Sequence, residues 1–231
     1  MDDRYLERRK NIEKHFIPAN KIAESSKKEV SLSGNFQLEA YEYRVNLRRY
    51  TRGVVTKISN GAVIADIKRN FGNFWHIWIQ HPNGDEYLLC GEDYQGYSVV
   101  NLTSEKYHVY FPEDGYKGLG FCWREVYPSP DGLTLAVKGC YWGWNDDLVF
   151  LDFRTPDTLP YPELARFESI HKYDGWSKDG AFVFENTVLY RNSDGVLFET
   201  LPKDEQDRLR SDRSYFGIRD ETVRYKSPYS Q

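Results

Sequence analysis

Three side chains that carry or can gain a positive charge recur at one fixed spacing in this 231-residue chain. They are His76, Arg124 and Lys172, and each lies 48 residues from the next. If they occupy equivalent positions on the inner strands of a repeating structure, they converge on a central channel, where cations attract an anion such as phosphate or carboxylate. Alternatively, Arg124 and Lys172 form ion pairs with neighbours such as Glu125 and Asp174, and His76 is a satisfied core histidine.

A second candidate site is an aromatic segment with an acidic end. Residues 142–147 read Trp-Gly-Trp-Asn-Asp-Asp, and we call them the Trp loop. Trp142 and Trp144 next to Asp146 and Asp147 would form a recognition surface for another protein, because exposed aromatic side chains with a polar rim make binding hot spots. Alternatively, the tryptophans pack over the edge of a sheet and the two acids are solvated turn residues.

The third candidate site is an acidic segment, and it carries weaker evidence for a function than the first two. Residues 91–94 read Gly-Glu-Asp-Tyr and, with Asp146 and Asp147, offer carboxylates to a cation, but no known ligand pattern surrounds them. The sequence has no nucleophile elbow, phosphate-binding glycine loop, His-Glu-x-x-His or Cys-x-x-Cys motif. It therefore predicts no catalytic residue, no cofactor and no metal site.

The elements that position these residues follow from a repeated turn. Residues 127–137 read Tyr-Pro-Ser-Pro-Asp-Gly-Leu-Thr-Leu-Ala-Val, which predicts a strand, a tight turn at Gly132 and a second strand. Related turns contain Gly84 and Gly180, each 48 residues from Gly132, and a fainter copy contains Gly34. A repeat of about 40–50 residues with several short strands is typical of propeller blades.

The turn also carries a resemblance to a known class of repeat. Ser129-Pro130-Asp131-Gly132 resembles the Ser-Pro-Asp-Gly turn of β-propeller repeats, such as those of Tol-system and tryptophan-aspartate-repeat propellers. The resemblance covers roughly residues 30–200 and implies a fold, with no catalytic residue carried over. The sequence thus predicts an all-β protein, a small β-propeller of about four blades with a short N-terminal helical extension. A five-bladed ring, or an incomplete ring that dimerisation closes, is the alternative.

The composition favours the same class and excludes several partners. Aromatic residues make up 16% of the chain, which suits pleated sheets. The net charge is −4, and no cluster of Lys and Arg has the density that nucleic acids require. No secretory signal or membrane-spanning run is visible. Cys90, Cys122 and Cys140 give an odd count without metal-ligand spacing, which predicts buried thiols in a cytoplasmic protein.

The chain divides into three predicted parts. Residues 1–27 are a helical extension on the first blade, residues 28–202 are the propeller-like domain, and residues 203–231 are a C-terminal segment. Within that segment, residues 215–218 supply a strand that closes the ring against the first blade, and the last residues are frayed.

The predicted function is protein binding. We expect a non-enzymatic cytoplasmic module that contacts another protein through a face or through the Trp loop, on an analogy of fold. The alternative is a site for an anion or a sugar, binding or enzymatic, in the channel at His76, Arg124 and Lys172. Neither nucleic acid nor membrane is an expected partner, and a homodimer is expected if the ring is incomplete.

Overall fold

The computed structural model describes residues 3–91, 96–112, 120–141, 146–168, 170–210 and 216–230. Two helices, α1 (Asp3–Glu13) and α2 (Lys203–Arg210), lie near the two ends of this part of the chain. The strands between and beyond them are β1 (Lys21–Val30), β2 (Phe36–Val45), β3 (Arg48–Lys57), β4 (Val63–Arg69), β5 (His76–Gln80), β6 (Glu86–Gly91), β7 (Tyr97–Asn101), β8 (Lys106–Tyr110), β9 (Cys122–Pro128), β10 (Thr134–Cys140), β11 (Asp147–Asp152), β12 (Glu163–Phe167), β13 (Ile170–Trp176), β14 (Ala181–Arg191) and β15 (Phe216–Lys226).

These strands form four antiparallel sheets in chain order. Sheet 1 contains β1–β4, sheet 2 contains β5–β8, sheet 3 contains β9–β12, and sheet 4 contains only β13–β15. Each strand pairs with its neighbour in sequence, so every sheet is a simple meander. The predicted all-β class is confirmed, whereas the closed ring and its number of blades stay predictions.

One turn recurs at the start of all four sheets. The amide of Gly34, Gly84, Gly132 or Gly180 donates to the carbonyl three residues earlier, at 2.8–3.0 Å. Each of these glycines has a positive φ, between 72° and 94°, which disfavours other residues. The repeat that the sequence shows at Gly132 therefore extends to the fainter copy at Gly34.

Apolar cores fill the spaces between consecutive sheets. Leu38, Val55 and Ile67 of sheet 1 pack against Leu88 and Val100 of sheet 2, among other buried residues. A second core joins sheets 2 and 3, and a third joins sheets 3 and 4. Within the described residues, no apolar cluster joins sheet 4 to sheet 1, so the sheets form three interfaces in succession.

The N-terminal extension differs from the predicted residues 1–27. Helix α1 ends at Glu13, and the strand β1 already begins at Lys21, so a boundary at residue 27 would cut that strand. The side chains of β1 are mostly polar and exposed, and backbone pairing with β2 holds the strand in place. Ile12 and Phe16 pack on Tyr43 and Tyr50, on the face of sheet 1 turned away from sheet 2.

The C-terminal segment also departs from the prediction. Strand β15 pairs with β14 over its whole length, from Ala181–Lys226 to Arg191–Phe216, and does not close a ring against sheet 1. The reason is that Tyr225 stacks on Phe150, with ring centroids 3.7 Å apart, and so belongs to the core between sheets 3 and 4.

The last residues are held in place, although they were expected to fray. The buried Ser227 hydroxyl lies 2.7 Å from the Thr134 hydroxyl, and the Tyr229 hydroxyl donates to Asp152 at 2.9 Å. No helix in the described residues is long and apolar enough to cross a membrane.

Candidate functional site

The base of the Trp loop is the best-defined polar site near the sequence candidates. Strand β10 ends at Cys140 and β11 begins at Asp147, and the two strands pair with Gly139 opposite Asp147. Trp142 and Trp144 lie outside the described residues, which include both ends of the loop.

Asp146 is held between two cations. Nη1 of Arg124 donates to its Oδ1 at 2.8 Å, and Nζ of Lys138 lies 3.3 Å from its Oδ2. The hydrogen bond to Asp146 raises the pKa of Arg124. Burial opposes the charge of Lys138, but the carboxylates of Asp146 and Glu125 outweigh it and raise the pKa of that amine. The carboxylate is therefore fixed in position between Arg124 and Lys138.

Asp147 is anchored on the other side of the loop. Its side chain is buried, and its Oδ2 lies 3.7 Å from Nη1 of Arg166. The guanidinium of Arg166 also lies over the rings of Phe121 and Tyr141, 5.1 and 5.3 Å from their centroids. Both acids that the sequence assigned to a recognition surface thus fix the base of the loop.

A polar network extends from this base to sheet 4. The hydroxyls of Tyr127 and Tyr173 both donate to Oε2 of Glu125, and the two hydroxyl oxygens lie 2.8 Å apart. Nζ of Lys138 lies 3.5 Å from Oε1 of Glu125. Burial would raise the pKa of Glu125, but these donors outweigh it and lower that pKa. Because Tyr173 belongs to sheet 4, the network connects the loop base to the next sheet.

Each of the three recurring side chains contacts a different carboxylate. His76 lies 2.9 Å from Glu29 of β1, and Lys172 lies 3.0 Å from Glu185 of β14. Arg124 pairs with Asp146, as described above. No hydrogen bond or ion pair joins any two of the three, and Glu125 and Asp174 are not the partners of Arg124 and Lys172.

His76 and Lys172 also lie on opposite faces of their sheets. His76 is in register with Cys90, which packs toward sheet 1. Lys172 is in register with Glu185, on the face of β14 opposite the buried Phe184. The expectation that equivalent positions face the same way is therefore wrong here, because register shifts near Lys172 change the face on which its side chain lies.

A small cleft surrounds His76. Its volume is about 100 Å³, and its lining includes Lys27, Glu29 and Tyr41 of sheet 1. The hydrogen bond from His76 lowers the pKa of Glu29. This volume is below the roughly 300 Å³ at which typical small-molecule sites begin.

Sequence reasoning missed Lys138, Arg166 and Tyr173. Lys138 carries the clearest signal, because it lies on the strand before the loop and can reach across the hairpin to Asp146. Arg166 and Tyr173 come from other strands, whose register a single sequence does not give. Among the described residues, no three His, Cys, Asp or Glu side chains are grouped so as to hold a metal ion.

Two solved structures are similar to the chain only at low scores. A β-propeller domain of Cps50 (Swd1) from Myceliophteria thermophila is 14% identical, with a TM-score of 0.36 over 73% of this chain and 47% of that one. A bifunctional GH43-CE protein of Bacteroides eggerthii is 11% identical, with a TM-score of 0.36 over 77% of this chain and 26% of that one. The chain thus spans less than half of either structure, and such scores are too low to assign a fold or a function.

No family model matches the chain. The chain is 30% identical over 211 residues to the uncharacterized protein R762 of Acanthamoeba polyphaga mimivirus. This alignment covers 86% of this chain and 81% of that protein. The chain belongs to the same family as R762.

Proposed function

We propose that the chain is a non-enzymatic protein-binding module of the cytoplasm, and that the Trp loop is its contact surface. The observation that carries this proposal is the anchoring of both acids at the base of the loop. Asp146 is fixed by Arg124 and Lys138, and Asp147 is buried beside Arg166. A loop with a fixed base loses less conformational entropy when it binds, so its contacts contribute more to affinity.

The residue types of the loop fit a protein partner. Tryptophan has a large contact area and is enriched at the centres of protein interfaces. Along the sequence of the loop, the two tryptophans are followed by the polar Asn145, which suits the rim of such an interface, and then by the two acids that fix the loop base.

Affinity capture from a lysate of the source cells tests the proposal. The tagged chain is compared with Trp142→Ala/Trp144→Ala, and mass spectrometry identifies what each retains. We expect a stoichiometric partner that the double variant loses by at least about tenfold, while its thermal unfolding is unchanged. Ile58→Ala/Ile218→Ala is the matched control, since both side chains are exposed, one in the turn between β3 and β4 and the other on β15.

A partner retained equally by the loop variant and the control would contradict the assignment of the loop. The absence of any stoichiometric partner would contradict the binding module itself. Arg124→Ala is not a control for the loop, because Arg124 fixes Asp146 at its base.

The second candidate is a binding or enzymatic site for an anion or sugar, and the polar lining of the small cleft at His76 favours it, although its volume is below that of typical small-molecule sites. Because His76 and Lys172 lie on opposite faces of their sheets and no contact joins any two of the three side chains, this alternative site is centred on His76 with Lys27 and Glu29. It predicts that an anionic metabolite or a sugar raises the midpoint of thermal unfolding, and that His76→Ala removes this shift while Lys172→Ala does not. If no compound in such a panel raises the midpoint of thermal unfolding, the small-molecule site is contradicted and only the protein-binding proposal remains.

A further inference from the structure

The turn between β2 and β3 exposes a leucine completely. Val45 pairs with Arg48, so the turn consists of Asn46 and Leu47, and Leu47 is 99% exposed. Phe71, in the connection between β4 and β5, is 39% exposed. Both side chains line one groove of about 700 Å³. An exposed apolar pair in a concave surface is a feature of interaction sites.

The walls of this groove are fixed. The Thr51 hydroxyl donates to the carbonyl oxygen of Phe71 at 3.0 Å, and Thr51 is itself buried. Gly72 passes so close to β3 that a Cβ on it would lie 3.1 Å from Cβ of Arg49. The connection that carries Phe71 is therefore held against the hairpin.

A second groove continues the first along helix α1. It measures about 450 Å³, and its lining includes Ile12, Lys14 and His15. Arg48 and Asn70 line both grooves, so the two are continuous. Together they form what we call the hairpin-tip surface: Leu47, Arg48, Arg49, Asn70 and Phe71 with Lys14 and His15.

The hairpin-tip surface is positively charged. Arg48 and Lys14 are exposed, and no carboxylate in the described part of the chain forms an ion pair with either. Arg49 pairs with Glu42 at 3.0 Å, and Glu7 is the acid that lines the second groove. Burial, followed by the charges of Lys14 and Arg48, lowers the pKa of His15.

The charge of this region contrasts with that of the whole chain. Residues 1–69 contain fifteen Lys and Arg against nine Asp and Glu, whereas the complete chain has a net charge of −4. The excess of positive residues thus lies in the part of the chain that forms α1 and sheet 1.

We propose that the hairpin-tip surface binds an acidic segment of a partner protein, with an apolar side chain of that segment packed between Leu47 and Phe71. The carboxylates of the segment would pair with Arg48 and Lys14, which have charge complementary to it. The open groove between Leu47 and Phe71 has room for a side chain of such a segment, and a fully exposed leucine offers little to a nucleic-acid backbone. This surface lies on sheet 1, whereas the Trp loop lies on sheet 3, so the two proposals are independent.

Panning a random dodecapeptide phage library against the full-length protein tests this inference. We expect the enriched peptides to combine Asp or Glu with one aliphatic or aromatic residue. Fluorescence anisotropy should then show that Lys14→Glu/Arg48→Glu weakens binding of an enriched peptide by at least about tenfold, and that Leu47→Ser weakens it severalfold. Lys106→Glu/Lys178→Glu makes the same charge change at two exposed sites, on β8 and in the turn between β13 and β14, and should leave the affinity unchanged.

Three results would overturn the inference. The first is a library that yields no acidic peptides, and the second is an enriched peptide that binds the Lys14→Glu/Arg48→Glu variant as well as the parent chain. The third is capture of the protein by vesicles containing phosphatidylserine when the acidic peptides fail, which would assign the surface to a membrane. The folding of each variant is checked by circular dichroism, and Leu47→Ser alters an exposed turn position that has no role in the core.

Discussion

At the residue scale, Asp146 joins two candidate sites that the sequence analysis treated separately. The sequence placed Arg124 in a channel and Asp146 on a recognition loop, and the structure joins them at 2.8 Å. Lys138 adds a second cation to the same carboxylate. The position of the loop base therefore depends on one acid with two partners.

Asp146→Asn is expected to lower the free energy of unfolding by about 1 kcal/mol, the upper part of the range for partly exposed ion pairs. Lys138, which is largely buried, loses one of its two carboxylate partners. Urea denaturation measures the change. Asp174→Asn is the control, because Asp174 is exposed, and equal effects of the two substitutions would contradict the role of Asp146.

The stability of the protein should depend on the charge of Glu125 at acid pH. Hydrogen bonds from Tyr127 and Tyr173, together with Lys138, lower the pKa of this glutamate despite its burial. A lowered pKa in the folded state contributes stability that is present above the ordinary glutamate value of 4.5 and is lost as the pH falls through the folded value. Glu125→Gln should therefore be less stable near pH 7 and lose less stability below pH 4.5 than the parent chain. Unfolding midpoints from pH 7 to 3 test this, and parallel curves for the two proteins would contradict it.

At the element scale, the close approach of sheets 1 and 2 depends on a glycine. A Cβ on Gly53 would lie 2.2 Å from Cζ of Phe74, a buried ring in the core between these sheets. Strand β3 can pack there only because this position has no side chain.

Gly53→Ala should destabilise the protein by about 2 kcal/mol, as overpacking of cores does. Combining it with Phe74→Leu, which removes the clashing ring atoms, should cost less than the sum of the two single changes. Chemical denaturation of the four proteins in this cycle measures the coupling. Strictly additive effects would show that the ring and the glycine do not meet.

The sequence predicts where the turns and strands lie better than it predicts which strands pair with one another. The turn at Gly132 is encoded locally by Pro, Asp and Gly, and its copies keep the glycine, so the four sheets could be located from spacing. The pairing of β15 with β14 joins residues far apart in sequence, and the alternation within Phe216–Lys226 does not specify which strand it meets. The opposite faces of His76 and Lys172 likewise depend on irregular pairing that spacing cannot show.

At the scale of the whole molecule, four sheets meet at three apolar interfaces. The outward face of sheet 1 carries the Arg52–Asp66 ion pair, and that of sheet 4 carries Lys172–Glu185. Outside the patch of sheet 1 that Ile12 and Phe16 cover, these charged pairs on both end faces suit contact with water rather than a fourth apolar interface between the same chain's ends.

Two adjacent substitutions in β3 test this arrangement. Val55 is buried toward sheet 2, whereas the side chain of Val54 lies on the outward face between Glu39 and Asp66. We expect Val55→Lys to cost at least about 3 kcal/mol, because it buries an unpaired charge. Val54→Lys should change stability by no more than about 0.5 kcal/mol. Thermal melts measure both, and severe destabilisation by Val54→Lys would show that the end face is covered.

The most direct test of the account is photo-crosslinking from the Trp loop. A p-benzoylphenylalanine at position 144 is compared with the same group at position 218, where Ile218 is exposed on sheet 4. Irradiation in a lysate of the source cells should give one dominant adduct from position 144, reduced by Asp146→Asn and absent from position 218. No adduct from position 144, or the same adduct from both positions, would contradict the assignment of the Trp loop as a protein-binding surface.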